Sequence, residues 1–451
     1  MALAIGSLRR RLAPWCGLLI IFLGLWIFSF FHLLDFAESD SGSVSDVPKN
    51  VYSKRALILH PSKVLKADNN GAKKKTFSFK NLKKVSSMPK TVNFQEIFDY
   101  KLYPKLGAYS PHWDLLHLGP FELIKGSKNP CWFNNEHFVV CLPYFYVIGA
   151  PKCGTTDLFA KISVHPEFIS PIVKEPEWIS YDRFEYLTSD LSIYVSNFAP
   201  IAYNIQRGYK DGQYKGVQFV TGDFSPTTMW QNDNWPWLPG NTNLREPNIT
   251  NADYVKHLNP NVKIIAILRN PTDRLFSDYL HFRNQYATAS IKDFHHWASL
   301  AVEVFKGCLE SKKSARECAY NEEVASKTVR KNEEVASKTG MHLRIGLYAI
   351  YLRDWFKVIP TKNILVLRLE DHEKQPQKTM KAIFAFLGLK TDKKLISRIS
   401  KQMKANGKEE MRSYRSTLGP MLPKTRQILD TFYKPFNIDL AQLLNDDKFN
   451  Y

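Results

Sequence analysis

The chain has 451 residues, 44% hydrophobic and 13% aromatic, and its 62 Lys and Arg against 43 Asp and Glu leave a formal charge of +19. Such a surface favours an acidic partner. Nucleic acid suits the charge, but the N-terminal segment places the chain in the wrong compartment for it and excludes it.

From Trp15 to Leu34 runs an uncharged apolar stretch of the length a bilayer-spanning helix needs, preceded by Arg9, Arg10 and Arg11 and followed by Asp35, Glu38 and Asp40. The alternative, a cleaved signal peptide, is disfavoured because the run is long and aromatic and no small-residue cleavage site follows it directly. An uncleaved signal anchor over 15–34 is expected, with residues 1–14 in the cytosol. Between Lys49 and Lys90 the only acid is Asp68, while Lys73, Lys74, Lys75, Lys83 and Lys84 sit among Ser, Asn and Gly. That composition cannot bury enough surface to offset ordering entropy, so residues 35–125 read as a flexible lumenal stem and 126–451 as the folded domain.

The folded part is long enough for one large core. Strand-like runs at Tyr144–Gly149, Gly216–Thr221, Lys263–Leu268 and Asn363–Leu369 alternate with helical patterns at Leu343–Val358, Gln377–Leu387 and Pro423–Phe432. Alternation of this kind predicts an α/β fold, a parallel sheet flanked by helices, with ligands outside the carboxyl ends of the strands.

Two of those strand ends carry chemistry. After Tyr144–Ile148 come Gly149, Ala150, Pro151, Lys152, Cys153, Gly154, Thr155 and Thr156, a glycine-bounded loop opening a helix. Loop amides and the first helical turn then point into one concavity where the helix dipole favours an anion. The loop is P-loop-like, but a nucleoside-triphosphate loop has Gly-Lys-Ser/Thr at its end, and here the lysine lies inside the loop. The second run, Lys263 to Leu268 followed by Arg269, Asn270 and Pro271, is again strand, turn and helix, with Ser277 on the helix. Each alone has an ordinary reading, a tight turn and a surface arginine. In this order and spacing the pair is far more specific.

Together they resemble the 5′-phosphosulfate and 3′-phosphate elements of sulfotransferases that use 3′-phosphoadenosine 5′-phosphosulfate (PAPS). Lys174-Glu175-Pro176-Glu177-Trp178, Gly222 to Trp230, Gly419 to Arg426 and Phe432 to Phe436 narrow the resemblance to the carbohydrate sulfotransferases of the Golgi, nearest the N-acetylgalactosamine 4-sulfate 6-O-sulfotransferases. It runs from about Tyr144 to the C-terminus. The resemblance implies that Lys152 and the amides of Cys153, Gly154, Thr155 and Thr156 hold the phosphosulfate, that Arg269 and Ser277 hold the 3′-phosphate, that Arg415 and Ser416 add a contact, and that Glu175 is the general base. Glu177 stands where relatives commonly have histidine, which leaves acceptor choice open. The implied acceptor is an acidic glycosaminoglycan such as chondroitin or dermatan sulfate, modified at the 6-position of N-acetylgalactosamine 4-sulfate, with the enzyme a type II protein of the Golgi membrane.

Sulfuryl transfer is a loose in-line displacement, so positioning and charge stabilisation supply most of the catalysis, and a carboxylate in reach of the attacking hydroxyl removes its proton. The sequence calls for no metal: no Cys/His cluster has zinc-ligand spacing, and adjacent His295 and His296 point different ways on a helix. Trp178, Trp230, Trp235 and Trp237 are candidates for stacking on sugar or adenine, or for core packing. Cys131–Cys141 and Cys308–Cys318 are spaced to close small loops and are expected as disulfides, with Cys153 free. Asn248-Ile249-Thr250 is a glycosylation sequon in a polar stretch.

A tandem copy, Asn321–Thr328 and Asn332–Thr339, reads as a duplicated surface insertion. The sequence leaves open whether the chain works alone or as a homo-oligomer. Two other readings stand beside the main one: a heparan-type sulfotransferase, and an inactive polyanion-binding protein of the same fold.

Overall fold

The computed structural model describes residues 113–185, 188–284, 289–321, 324, 341–401 and 418–451. The expected anchor over 15–34, Arg415 and Ser416, and nearly all of the tandem copy lie outside the described residues, among which no helix is long and apolar enough to cross a membrane. Of the segment read as stem, residues 113–125 are described, and there Leu115 and Ile124 are buried.

The centre is a parallel sheet of β3 (Phe145–Gly149), β6 (Gly222–Asp223), β7 (Lys263–Leu268) and β8 (Ile364–Arg368), in the order β6-β3-β7-β8. Phe145 to Ile148 and Ile264 to Leu268 are all buried, as expected of continuous apolar runs covered on two faces. Two hairpins stand apart: β1 (Cys131–Phe133) with β2 (Val139–Cys141), and β4 (Tyr209–Lys210) with β5 (Gln213–Tyr214). The flanking helices are α1 (Thr155–Ile162), α2 (Leu191–Ser196), α3 (Ala199–Gly208), α4 (Asn251–Leu258), α5 (Pro271–Asn284), α6 (Ile291–Glu310), α7 (Ala315–Tyr320), α8 (Tyr348–Val358), α9 (Leu369–Lys374), α10 (Pro376–Leu387), α11 (Lys393–Lys401) and α12 (Pro423–Leu444).

Three expectations are corrected. The strand expected at Gly216–Thr221 is not one; the edge strand is Gly222–Asp223. The backbone of the earlier stretch is taken by loops: Val220 N–H donates to Glu167 O, Thr221 N–H to the Asn129 side chain, and Asn129 Nδ2 to Phe219 O. Gly222 can enter the sheet because it has no side chain; a Cβ there would lie 2.5 Å from the Phe145 ring. The helix expected over Leu343–Val358 is a 3-10 turn, Leu343–Gly346, followed by α8. It breaks where Gly346 lets the chain press on Tyr433 and Pro271, at 2.7 and 2.9 Å from a would-be Cβ. The helix expected to end at Phe432 runs through Pro435 to Leu444. Thr431 and Pro435 are both exposed, so water can take the carbonyl that the missing N–H frees, while Phe432 and Phe436 pack on Phe305 of α6.

Cys131 and Cys141 are directly opposed in the β1–β2 register and disulfide-bonded; the Cys308–Cys318 bond joins α6 to α7, with Cα atoms 6.0 Å apart. Both bonds should appear in non-reducing peptide mapping, and a free thiol at any of the four would contradict the pairing. Cys308→Ser with Cys318→Ser is expected to cost about 2–4 kcal/mol in a denaturant melt.

Candidate active site

β3 ends at Gly149, and the chain turns there under tight constraints. Ala150 N–H donates to Ile267 O at 2.8 Å, tying the loop to β7, and Met229 N–H donates to Ile148 O at 2.9 Å. Lys152 has φ of 66° and Gly154 φ of 92°. At Gly154 a side chain is excluded twice over, by the left-handed backbone and by Leu369, whose Cδ1 would be 2.7 Å from a Cβ. α1 starts immediately after with no side-chain cap, so its opening amides are available to an anion. Thr155 is buried and Thr156 exposed at that helix start. The Cys153 thiol is buried 3.8 Å from Tyr348 Oη, and burial pushes it up to about 11, so it is no thiolate nucleophile.

The loop is held from behind. Asp157, in the first turn of α1, receives Lys161 Nζ at 2.7 Å and His372 Nε2 at 2.7 Å. His372 and Leu369 both belong to α9, so one short helix fixes both the glycine cradle and the helix behind it.

At the end of β7, Arg269 and Ser277 line one open cleft of about 120 Å³, together with Asp273, Phe276, Leu280 and Gly419. Positions 273, 276, 277 and 280 share a face of α5, as the helical period requires. The turn is fixed by Tyr348 Oη donating to Arg269 O, by Asn270 N–H donating to the Glu370 carboxylate and by Asp273 N–H donating to Asn270 Oδ1. Gly419 brings the start of the segment before α12 to the same cleft.

The inward face of α5 holds residues the motif reading did not use. Arg274 has no exposed side-chain surface; it donates to His342 O at 2.7 Å and faces Asp278 Oδ2 at 3.6 Å, while His342 Nδ1 lies 2.7 Å from that same oxygen. Burial would raise the Asp278 carboxyl, but His342 and Arg274, with a further contribution from Lys152, hold it down at about 2. The i,i+4 spacing of Arg274 and Asp278 was a usable signal in the sequence; His342, far along the chain, was not.

Glu175 is half-buried in the loop before Trp178, and its carboxylate is engaged by Lys174 Nζ. The loop is pinned by Glu177 N–H donating to Ser225 Oγ at 2.9 Å, with Glu177 at φ of 52°. Asp223, at the end of β6, is pushed up by burial, with the charge of Glu175 a smaller contribution. Glu175 therefore lies within electrostatic reach of the sheet end that neighbours the β3 loop.

The tryptophans divide. Trp178, Trp230 and Trp235 are core residues, 2%, 6% and 7% exposed, and Trp178 stacks on Tyr194; Trp237, at 41%, is open to a ligand. His295 ties α6 to α12 through Thr425 Oγ1, 2.8 Å away. Asn248 is exposed, while Thr250 of the sequon is buried as the N-cap of α4.

The profile of the sulfotransferase-domain family matches residues 143–427, spanning both phosphate-type elements and the Glu175 loop. The chain belongs to this family. Human carbohydrate sulfotransferase 15 is 35% identical over 333 residues, 70% of this chain and 56% of that protein, so the chain spans little more than half of its relative's length. The mouse bifunctional heparan sulfate N-deacetylase/N-sulfotransferase 4 is 22% identical over 358 residues, 72% of this chain and 34% of that one. Among solved structures, the sulfotransferase from Alicyclobacillus acidocaldarius superposes with a TM-score of 0.43 at 21% identity, over 69% of this chain and 100% of that one.

Proposed function

We propose that this sulfotransferase-family protein transfers a sulfuryl group from PAPS to a hydroxyl of a galactosamine-containing glycosaminoglycan, the 6-position of N-acetylgalactosamine 4-sulfate in chondroitin or dermatan sulfate, as a single-pass type II protein of the Golgi membrane. The observation that carries this reading is the adjacency of β3 and β7, which sets the Lys152 loop beside the Arg269–Ser277 cleft at one end of the sheet. The residues present fit a donor with two separated phosphate positions: a cradle at Gly154 that no side chain can share, an uncapped helix start, and a cleft that offers Arg269 and Ser277. Acceptor and compartment rest on the motif resemblance and the N-terminal sequence.

The donor supplies an activated sulfuryl group on a phosphate that leaves as the bond to sulfur breaks. Lys152 and the amides of Gly154 to Thr156 stabilise the negative charge that develops there, whereas the Cys153 amide, expected among them, donates to Ala150 O at 3.2 Å. Arg269 and Ser277 hold the 3′-phosphate, which fixes the donor in line with the acceptor. Glu175 takes the hydroxyl proton as the acceptor oxygen attacks.

The test uses the full chain with radiolabelled PAPS and chondroitin, dermatan and heparan chains. Label is expected in galactosamine-containing chains, with Glu175→Gln lowering the rate by about 10²–10⁴-fold. Label entering heparan alone would favour the heparan-type reading. Donor binding without transfer to any chain would favour the inactive polyanion-binding protein.

A further inference from the structure

The motifs of the phosphosulfate and 3′-phosphate elements leave one assembly unused, the Asp278–His342 pair. Its geometry is that of an oriented imidazole. His342 Nδ1 lies 2.7 Å from Asp278 Oδ2, and the Asp278 side chain is 4% exposed. The histidine's own backbone is fixed by Arg274 Nη2, which donates to His342 O at 2.7 Å. Its ring sits against Phe282 of α5, with centroids 5.3 Å apart, and near Trp230, at 6.4 Å. The His342 side chain is 27% exposed, and Nε2 has no protein partner among the described residues. A ring clamped at Nδ1, with Nε2 unpartnered among the described residues, can offer that second nitrogen to a ligand.

Its position says to what. Asp278 follows Ser277 of the 3′-phosphate cleft directly in the chain, and it feels the charge of Lys152 from the phosphosulfate loop. Trp230 follows Met229, whose N–H donates to Ile148 O near the end of β3, ahead of that loop. The pair is thus anchored on the helix that carries the 3′-phosphate serine, and its Asp278 lies within electrostatic reach of the phosphosulfate loop. With Nδ1 on a carboxylate, Nε2 can donate a hydrogen bond only when both ring nitrogens carry a proton.

The geometry points to His342 as a further donor-binding residue, oriented by Asp278, that in its imidazolium form donates Nε2–H to a phosphate or sulfate oxygen of PAPS. The inference rests on the reading of the two elements as a PAPS site and is independent of which sugar accepts. The charged and titratable groups around it are Asp278, Arg274 and His281 on α5, Lys152 in the loop, and Arg344 in its own turn, which is itself held by Asp233 at 2.8 Å. Lys152, Arg274 and Arg344 stay cationic and Asp278 anionic across neutral pH, and His281 is common to every protein compared below.

The experiment is calorimetric titration of the full chain with adenosine 3′,5′-bisphosphate, the product form of the donor, at pH 6 and pH 8, for the wild type, His342→Gln and His342→Ala. The ligand's phosphates gain charge over the same range, so the readout is the wild-type-to-variant affinity ratio at each pH. Both variants are expected to bind about 10- to 100-fold more weakly than wild type at pH 6, the worth of one hydrogen bond to a charged group, and to approach wild type at pH 8. Asp278→Asn, with its melting temperature recorded, should weaken binding at pH 6 in the same sense. A ratio that is unchanged between the two pH values, or a His342 variant that binds like wild type at pH 6, would overturn the assignment. If the wild type itself does not bind the bisphosphate, the PAPS reading fails and this one with it; wild-type binding that His342 variants leave unaltered sinks only this one.

Discussion

Replacing Lys152 by alanine lowers sulfuryl transfer by about 10²–10³-fold, the effect of removing one aimed charge from a developing oxyanion. The variant is clean for a backbone reason. Lys152 sits at φ of 66°, a conformation that costs any residue with a Cβ, and alanine carries the same Cβ as lysine, so the backbone cost is unchanged. Lys152→Arg keeps the charge but alters its shape and should recover part of the rate. The contribution of Lys152 to the low Asp278 value is the smallest of those named, so thermal stability should move by less than about 1 kcal/mol. A steady-state comparison with matched melting curves checks both statements. An alanine variant with wild-type turnover would remove Lys152 from the transfer step.

The second large effect is on the fold. Arg274 is completely buried, and its loss strips the deeply buried Asp278 of one of its two nearest counter-charges. Arg274→Met is therefore expected to destabilise the domain by about 3–5 kcal/mol, because an under-compensated buried charge remains. The pH dependence has a definite sign. Asp278 lies below its ordinary 3.8, at about 2, so the stability it contributes, about 2 kcal/mol, is fully present above pH 4 and is lost as pH falls through 2. In Arg274→Met the folded-state value moves back towards or above 3.8, so the variant is weaker at pH 7 and loses less of its stability than wild type as pH falls from 4 to 2. Urea melts between pH 2 and 7 measure it, and a variant with wild-type stability at pH 7 and the wild-type loss on acidification would contradict the role given to Arg274.

What the sequence made legible follows from range. β3 and β7 are near-continuous apolar runs followed by glycine and proline at the starts of the next helices, so propensity and packing agree there. Arg269 and Ser277 could be paired because a helix fixes their spacing. The edge strand was misplaced because Val217 to Thr221 carries a strand-like pattern whose hydrogen bonds go to Asn129 and Glu167, and no local pattern reveals those partners. The helix expected over Pro423–Phe432 runs on through Pro435, since burial of Phe432 and Tyr433 outweighs one missing bond. Trp178 and Trp230 looked like candidate ligand platforms and are core. The Asp278–His342 pair and the His372–Asp157 support of the donor loop join segments far apart in the chain, and only the folded sheet brings them together.

The central claim is that the Lys152 loop and the Arg269–Ser277 cleft hold the two phosphates of one nucleotide. The most direct measurement compares adenosine 3′,5′-bisphosphate with adenosine 5′-monophosphate by calorimetry on wild type and Arg269→Ala at one pH. The account predicts that wild type prefers the bisphosphate by about 10- to 100-fold, as one charge-assisted phosphate contact supplies, and that Arg269→Ala erases the preference while binding the monophosphate as before. Equal affinity of wild type for the two nucleotides, or a preference that survives the loss of Arg269, would contradict it.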